Sequence, residues 1–94
     1  MTDNLSKFRH DVYHCGALFH RAMAKYFADL NNNAPAAEMA VTARAARETG
    51  AAYNAALVAL LKQLKSLPDN TEVSREAERA ERTISILSFE IQRL

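Results

Sequence analysis

The residues best equipped for chemistry lie together near the start of the chain. Residues 9–20, RHDVYHCGALFH, contain all three histidines and the only cysteine. Imidazole and thiolate groups bind transition metals, and they also act as acid–base or nucleophilic groups in enzymes. The segment therefore suggests either a metal site or a catalytic site, and the spacing of its residues bears on both.

For a metal, His10 and His14 have the i, i+4 spacing at which two imidazoles on one helix can share an ion. A third ligand is absent from this face, because at about 100° per residue His20 points about 120° away from His14. The same face carries Lys7 and Arg21, whose positive charges oppose a cation. We therefore predict no metal and no other cofactor, and we interpret His10 and His14 as solvent-facing.

For catalysis, Arg9 and His14 form an R-x-x-x-x-H pattern. This pattern is similar to the catalytic motif of the HEPN family of helical ribonucleases, in which Arg and His act together on the RNA phosphate. The resemblance covers six residues, and His10 stands where that family often has Asn. It implies a ribonuclease with Arg9 and His14 as catalytic residues, which is the remote alternative for this chain.

The rest of the sequence favours a protein that is not an enzyme. Cys15 falls on the main apolar stripe described below, where a cysteine is usually a small core residue. With only two glycines, the chain has no glycine-rich loop for a nucleotide phosphate. Twelve basic and eleven acidic residues give a net charge of +1, which lacks the basic excess of nucleic-acid-binding proteins. We expect no nucleic-acid partner.

The composition also suggests where the protein works. A single cysteine favours a reducing compartment, and the N-terminal residues lack the basic-then-apolar order of a signal peptide. The longest apolar stretch, AAYNAALVALL, is too short to span a membrane. We therefore expect a cytoplasmic protein without a membrane partner.

Apolar residues recur at alternating spacings of three and four, the pattern of a helix with one buried face. They form three unbroken stripes: Leu5, Phe8, Val12, Cys15, Phe19, Ala22, Tyr26; then Met39, Ala43, Ala46, Gly50, Tyr53, Leu57, Leu60, Leu64, Leu67; then Val73, Ala77, Ala80, Ile84, Leu87, Ile91, Leu94. These stripes predict helices over about 4–31, 35–66 and 70–94 in a single domain covering 1–94.

Short connections predict antiparallel neighbours. Asn31–Asn33 with Pro35 predict the first turn, and Pro68 precedes a second turn in which Asp69 and Glu72 have the spacing of a capping box. The phase of the stripe is unchanged across Gly50, which predicts one long second helix rather than a hinge there. The expected fold is all-α, an up-down-up bundle of three long coiled-coil-like helices, whose core a second copy could complete.

Two helices carry more apolar surface than one stripe requires. Tyr13, His20 and Phe27 recur every seven residues with Met23 beside them, and Ile86 and Phe89 lie away from the third helix's stripe. Exposed apolar patches of this kind commonly mark association surfaces. We therefore predict a protein interface made of these residues: Tyr13, His20, Met23, Phe27, Ile86 and Phe89.

These features predict a protein–protein interaction module, a small adaptor or chaperone-like protein that also forms a homodimer. Its size, charge balance and excess apolar faces resemble those of small bacterial secretion chaperones and assembly adaptors. The alternative is a small inhibitor or immunity protein that covers the surface of an enzyme.

Overall fold

A computed structural model describes the backbone of residues 2–94 and the side chains of residues 5–94. Within that range the chain forms three helices and no strand: α1 (Thr2–Asn31), α2 (Ala36–Lys65) and α3 (Thr71–Gln92). The predicted all-α, three-helix fold is confirmed, and each helix end lies within two residues of its predicted position. None of the described helices is long and apolar enough to cross a membrane.

The turn between α1 and α2 depends on a left-handed residue. Asn33 has φ 51°, a conformation that asparagine tolerates better than most residues. This lets the Ala34 N–H donate back to the Asp29 carbonyl at 2.9 Å, which satisfies an end group of α1. Pro35 then stands immediately before α2, with φ −56° and ψ 151°.

The cap of α3 differs from the predicted one. Asn70, rather than Asp69, is extended at the start of the helix, and its side-chain oxygen accepts from the Glu72 N–H at 2.8 Å. Asp69 lies one residue too early to reach that amide, and its carboxylate instead faces the Ser74 hydroxyl at 3.5 Å. The position of the helix start was therefore predicted to within one residue, and the capping side chain was wrong.

Helix α2 runs through Gly50 without a break, as the unchanged stripe predicts. A Cβ atom at Gly50 would lie 2.8 Å from Ile91 Cδ1 and 3.1 Å from Phe19 Cε1. Glycine is therefore needed here so that side chains of both α1 and α3 can lie against the α2 backbone.

The core is built on α2, which packs along both other helices. Phe19 of α1, Leu57 of α2 and two α3 residues, Ala80 and Leu87, form its buried centre. Leu64 is also almost fully buried, nearer the carboxyl end of α2. All these residues belong to the predicted stripes.

The three helices form an open layer rather than a closed triangle. Although both pack on α2, no residue of α1 has its Cα within 8 Å of a Cα of α3 in the described chain. The Cα atoms extend over 51 × 22 × 14 Å, whereas three mutually packed helices would have nearly equal second and third dimensions. A groove therefore separates α1 from α3, with α2 as its floor.

Helices α1 and α2 continue past the end of α3 as a two-helix hairpin. The Arg47 guanidinium donates to the Leu94 carbonyl at 3.3 Å, which places the last residue of the chain beside the middle of α2. Beyond that level α3 does not extend over α1 in the described part of the chain, and Phe27 is 50% and Leu30 49% exposed.

Candidate protein-binding groove between α1 and α3

Apolar side chains from all three helices line the bottom of the groove. Tyr53, Leu57 and Leu60 come from α2, Val12 from α1 and Ala80 from α3, around a hollow of about 260 Å³. Leu57 and Leu60 are buried, while Val12 and Tyr53 remain half-buried and open toward the groove. Leu57, Leu60 and Ala80 are thus already covered within this chain, and Val12 and Tyr53 are the apolar side chains of the hollow that stay partly exposed.

One ion pair crosses the groove near the start of α3. Arg9 Nε donates to Glu76 Oε2 at 2.8 Å, and Arg9 Nη2 donates to Oε1 at 2.7 Å. This two-pronged contact lowers the pKa of Glu76 and raises that of Arg9, with the hydrogen bond as the largest cause in both. The pair limits the separation of α1 and α3 at this end.

Tyr53 closes the floor toward the middle of α1. Its ring lies over Gly16, where an added Cβ would come within 3.1 Å of ring carbons, and its centroid is 5.9 Å from that of Phe19. Burial and, secondarily, the charge of Glu90 raise the pKa of the Tyr53 hydroxyl. Gly16 is therefore buried beneath Tyr53. His20, edge-on to Tyr53 at 6.1 Å, stays exposed at the rim.

The α1 wall of the groove is the heptad row Tyr13, His20 and Phe27. Tyr13 and His20 line the groove directly, beside Arg9 and Val12. Tyr13 is 78% exposed, so most of its ring is available to another molecule. Phe27 continues the row onto the hairpin beyond α3.

Two adjacent heptad rows lie on the exposed surface of α3, and Arg79 is the member that lines the hollow beside Tyr53. The inner row is Arg79, Ile86 and Arg93, and the outer row is Arg75, Arg82 and Phe89. All six side chains are exposed, and the two apolar ones, Ile86 and Phe89, are 54% and 65% exposed. None of the four arginines has an ion-pair partner within 4 Å among residues 5–94.

Five of the six predicted interface residues are exposed, and Met23 is the exception; of the five, Tyr13 and His20 line the groove. Met23 is half-buried and packs against the core cluster of its own chain. Sequence reasoning did not predict that Tyr53 and Arg79 line the hollow. Arg79 could have been found, because it shares a heptad row with Ile86.

The groups that suggested chemistry are not assembled into one site. The rings of His10 and His14 lie parallel, with centroids 6.4 Å apart, on the solvent face of α1. The Arg9 guanidinium is instead held by Glu76, on the groove side. Cys15 is a half-buried free thiol. Among the described residues, no three His, Cys, Asp or Glu side chains are grouped closely enough to hold a metal ion.

Comparison with models of protein families, with curated proteins and with solved structures finds no match. The groove is therefore the feature of the molecule from which a function can be inferred.

Proposed function

We propose that the protein is a non-enzymatic binding module that seats a helix of another protein in the groove between α1 and α3. It would act as a small adaptor or chaperone-like protein for that partner. The observation that carries the proposal is the hollow between α1 and α3, in which Val12 and Tyr53 are partly exposed and the ring of Tyr13 is 78% exposed beside them.

The dimensions of the groove suit a helix. Helices pack with axes about 8–10 Å apart, and a helix with its side chains is about 10–12 Å wide. A fourth helix lying over α2, between α1 and α3, would convert the open layer into a four-helix bundle, a stable arrangement of antiparallel and parallel helices. The apolar stripe of such a helix would cover the partly exposed side chains of Val12 and Tyr53 and the exposed ring of Tyr13.

Exposed apolar side chains of α1 and α3 could contact a helix bound between them. Tyr13 on one side and Ile86 on the other project beyond the core, and each is more than half exposed. Burying a large apolar side chain completely contributes about 1.5–3 kcal/mol, so several such contacts are needed to offset the free-energy cost of association. Aromatic side chains in particular are enriched where interfaces are strongest.

A displayed library of helical peptides, with a fixed apolar heptad stripe and randomised flanking positions, tests the proposal. We expect it to yield peptides that bind the protein with micromolar affinity or better. The variant Ile86→Asp should weaken them at least tenfold, since it places an unpaired charge against the apolar stripe. The matched control is Val41→Asp, at a site that is 68% exposed and belongs to the hairpin rather than the groove.

Three outcomes would refute the proposal. The first is a library that yields no binder, and the second is binding that Ile86→Asp and Val41→Asp reduce equally. The third is RNA cleavage by the purified protein that is lost in both Arg9→Ala and His14→Ala, which would favour a ribonuclease. Circular dichroism of Ile86→Asp should show unchanged helix content, because that side chain is 54% exposed.

A further inference from the structure

A notch on α1 lies between the side chains of Tyr13 and His20. It is a hollow of about 470 Å³ that Gly16 and Ala17 also line, and Tyr53 lines it from α2. Gly16 has no side chain and Ala17 has only a methyl group, so two successive positions between the rings leave space open. Tyr13 is 78% exposed, and Ala17 and His20 are exposed as well, so the notch is open to solvent.

The separation of Tyr13 and His20 along α1 fits one additional aromatic ring. The two residues are seven positions apart, which corresponds to about 10.5 Å at about 1.5 Å per residue. Aromatic rings that pack together have centroids about 4.5–7 Å apart, so a ring placed between two others needs them about 9–14 Å apart. On the same helix, His10 and His14 are four positions apart with centroids 6.4 Å apart, which leaves no room for a third ring.

The next interval of the same heptad row is built differently. His20 and Phe27 are also seven positions apart, but Met23 occupies the position that corresponds to Gly16. Met23 is half-buried and packs against the core cluster, so a long side chain stands where the first interval has none. The glycine at position 16 therefore determines which interval of α1 is open.

The groups around the notch favour an uncharged planar occupant. Of the residues that line it, Arg9 carries a permanent charge, and its guanidinium already donates to both carboxylate oxygens of Glu76 at 2.7 and 2.8 Å. The ring of His20 is held by two neighbours, since it lies edge-on to Tyr53 at 6.1 Å and tilted against Phe19 at 5.7 Å. The notch thus offers aromatic surfaces and no free cation.

We infer that the helix bound in the groove carries an aromatic residue, namely phenylalanine, tyrosine or tryptophan, whose ring inserts between Tyr13 and His20. This inference rests on the proposed function and specifies the residue by which the partner is recognised. Tyr13 and His20 would pack on the two faces of the inserted ring, and Tyr53 would contact its edge. Residues that contribute most to binding at interfaces are enriched in aromatic side chains that fill pockets of this kind.

A nucleobase is the other planar group that such a notch could hold. Proteins that bind single-stranded nucleic acid combine stacking aromatic side chains with cationic groups that contact the phosphates. The cation beside this notch is already paired with Glu76, and the net charge of the chain is only +1. The charges therefore favour a protein side chain as the occupant.

Peptides derived from one binder of the helical library described above test the inference. One stripe position at a time carries phenylalanine in the first series and cyclohexylalanine, a saturated ring of similar size, in the second. At the position that faces the notch, we expect phenylalanine to bind at least about fivefold more tightly, because aromatic pairs contribute to affinity beyond the area they bury. Tryptophan at that position should change its fluorescence on binding, and the signal belongs to the peptide because this chain contains no tryptophan.

Three variants of the protein locate the inserted ring. Ala17→Leu places a larger side chain between the two rings and should remove the preference for phenylalanine over cyclohexylalanine. Tyr13→Leu removes one aromatic side of the notch and should have the same effect. The matched control is Ala24→Leu, an exposed alanine one heptad later on α1, which should leave the preference unchanged. All three positions are exposed, so the helix content measured by circular dichroism should stay that of the wild type.

Equal binding of the two peptide series at every stripe position would overturn the inference, and so would a preference that Ala24→Leu reduces as much as Ala17→Leu. The proposed groove would survive either result, provided Ile86→Asp still weakened binding. Single-stranded RNA that binds the wild type and not Tyr13→Leu would also overturn the inference, because a nucleobase would then fill the notch. A dimer in sedimentation that Ala17→Leu converts to a monomer would overturn it as well, since a second copy would then be the occupant.

Discussion

Replacing Gly50 with alanine should destabilise the fold, although alanine is the better helix former. Gly50 lies in the middle of α2, and a Cβ there would lie 2.8 Å from Ile91 Cδ1 and 2.9 Å from Ile91 Cγ1. Phe19 Cε1 would be 3.1 Å away on the other side, and Phe19 is only 1% exposed. The new methyl group is thus confined between two helices, with only Ile91 able to move.

Two contributions of opposite sign determine how much Gly50→Ala changes the free energy of unfolding. In a helix interior, alanine is favoured over glycine by about 1 kcal/mol. Forcing a methyl group into a filled core costs about 1–3 kcal/mol. We therefore expect Gly50→Ala to lower the free energy of unfolding by about 1 kcal/mol, and to lower the Tm by about 4–8 °C in a chain of this size.

Urea denaturation isolates the steric contribution of the new methyl group to the free energy of unfolding. The four proteins compared are wild type, Gly50→Ala, Ile91→Val and the double variant. Ile91→Val removes Cδ1 and should cost about 0.5–1.5 kcal/mol alone, but less when alanine occupies position 50. Ala55→Gly, at an exposed position of the same helix, measures the propensity term without a steric change. A Gly50→Ala protein more stable than wild type, with no coupling to Ile91, would refute the close packing described at this glycine.

Two further predictions concern the groove. Gly16→Ala should be neutral or stabilising by up to about 1 kcal/mol, because the half-buried ring of Tyr53 can tilt away from a methyl group whereas the core at Gly50 cannot move. A decrease in the free energy of unfolding as large as that of Gly50→Ala, measured by urea denaturation, would contradict this prediction. Glu76→Gln should lower stability by about 0.5–1 kcal/mol near neutral pH, a modest value because Arg9 is 52% exposed. Since the pKa of Glu76 is lowered in the folded protein, its contribution is complete above about pH 4.3 and is lost as the pH falls through the folded value, so the two proteins should converge in acid; a difference that persists there would contradict the ion pair.

The periodicity of apolar residues accounts for most of the helices and buried residues that could be predicted from the sequence. Every member of the α1 and α3 stripes is buried or half-buried, because a three–four spacing places those residues on one helical face whatever that face packs against. Leu67 is the exception in the second stripe: it is 41% exposed, since α2 ends at Lys65 and no longer directs that side chain inward.

The rotation and spacing of the helices could not be predicted from periodicity. Three continuous stripes are equally compatible with a closed triangle and with an open layer. The open arrangement depends on contacts between residues distant in sequence, such as the Arg9–Glu76 pair and the packing of Tyr53 over Gly16. Such contacts leave no local pattern, so the periodicity assigned Tyr53 to the core stripe alone and did not predict that it lies in a groove.

The central position of α2 has a consequence for how the chain folds. In the described residues, the helices that pack along each other are always neighbours in sequence, so each packed pair is closed by a single short turn. Closing short loops costs little entropy, and chains rich in such local contacts fold fast. Since α1 and α3 share no close backbone contact, α3 can detach from α2 while the α1–α2 hairpin stays paired. Amide hydrogen exchange should accordingly be faster along α3 than at the centre of α2, which both neighbours cover.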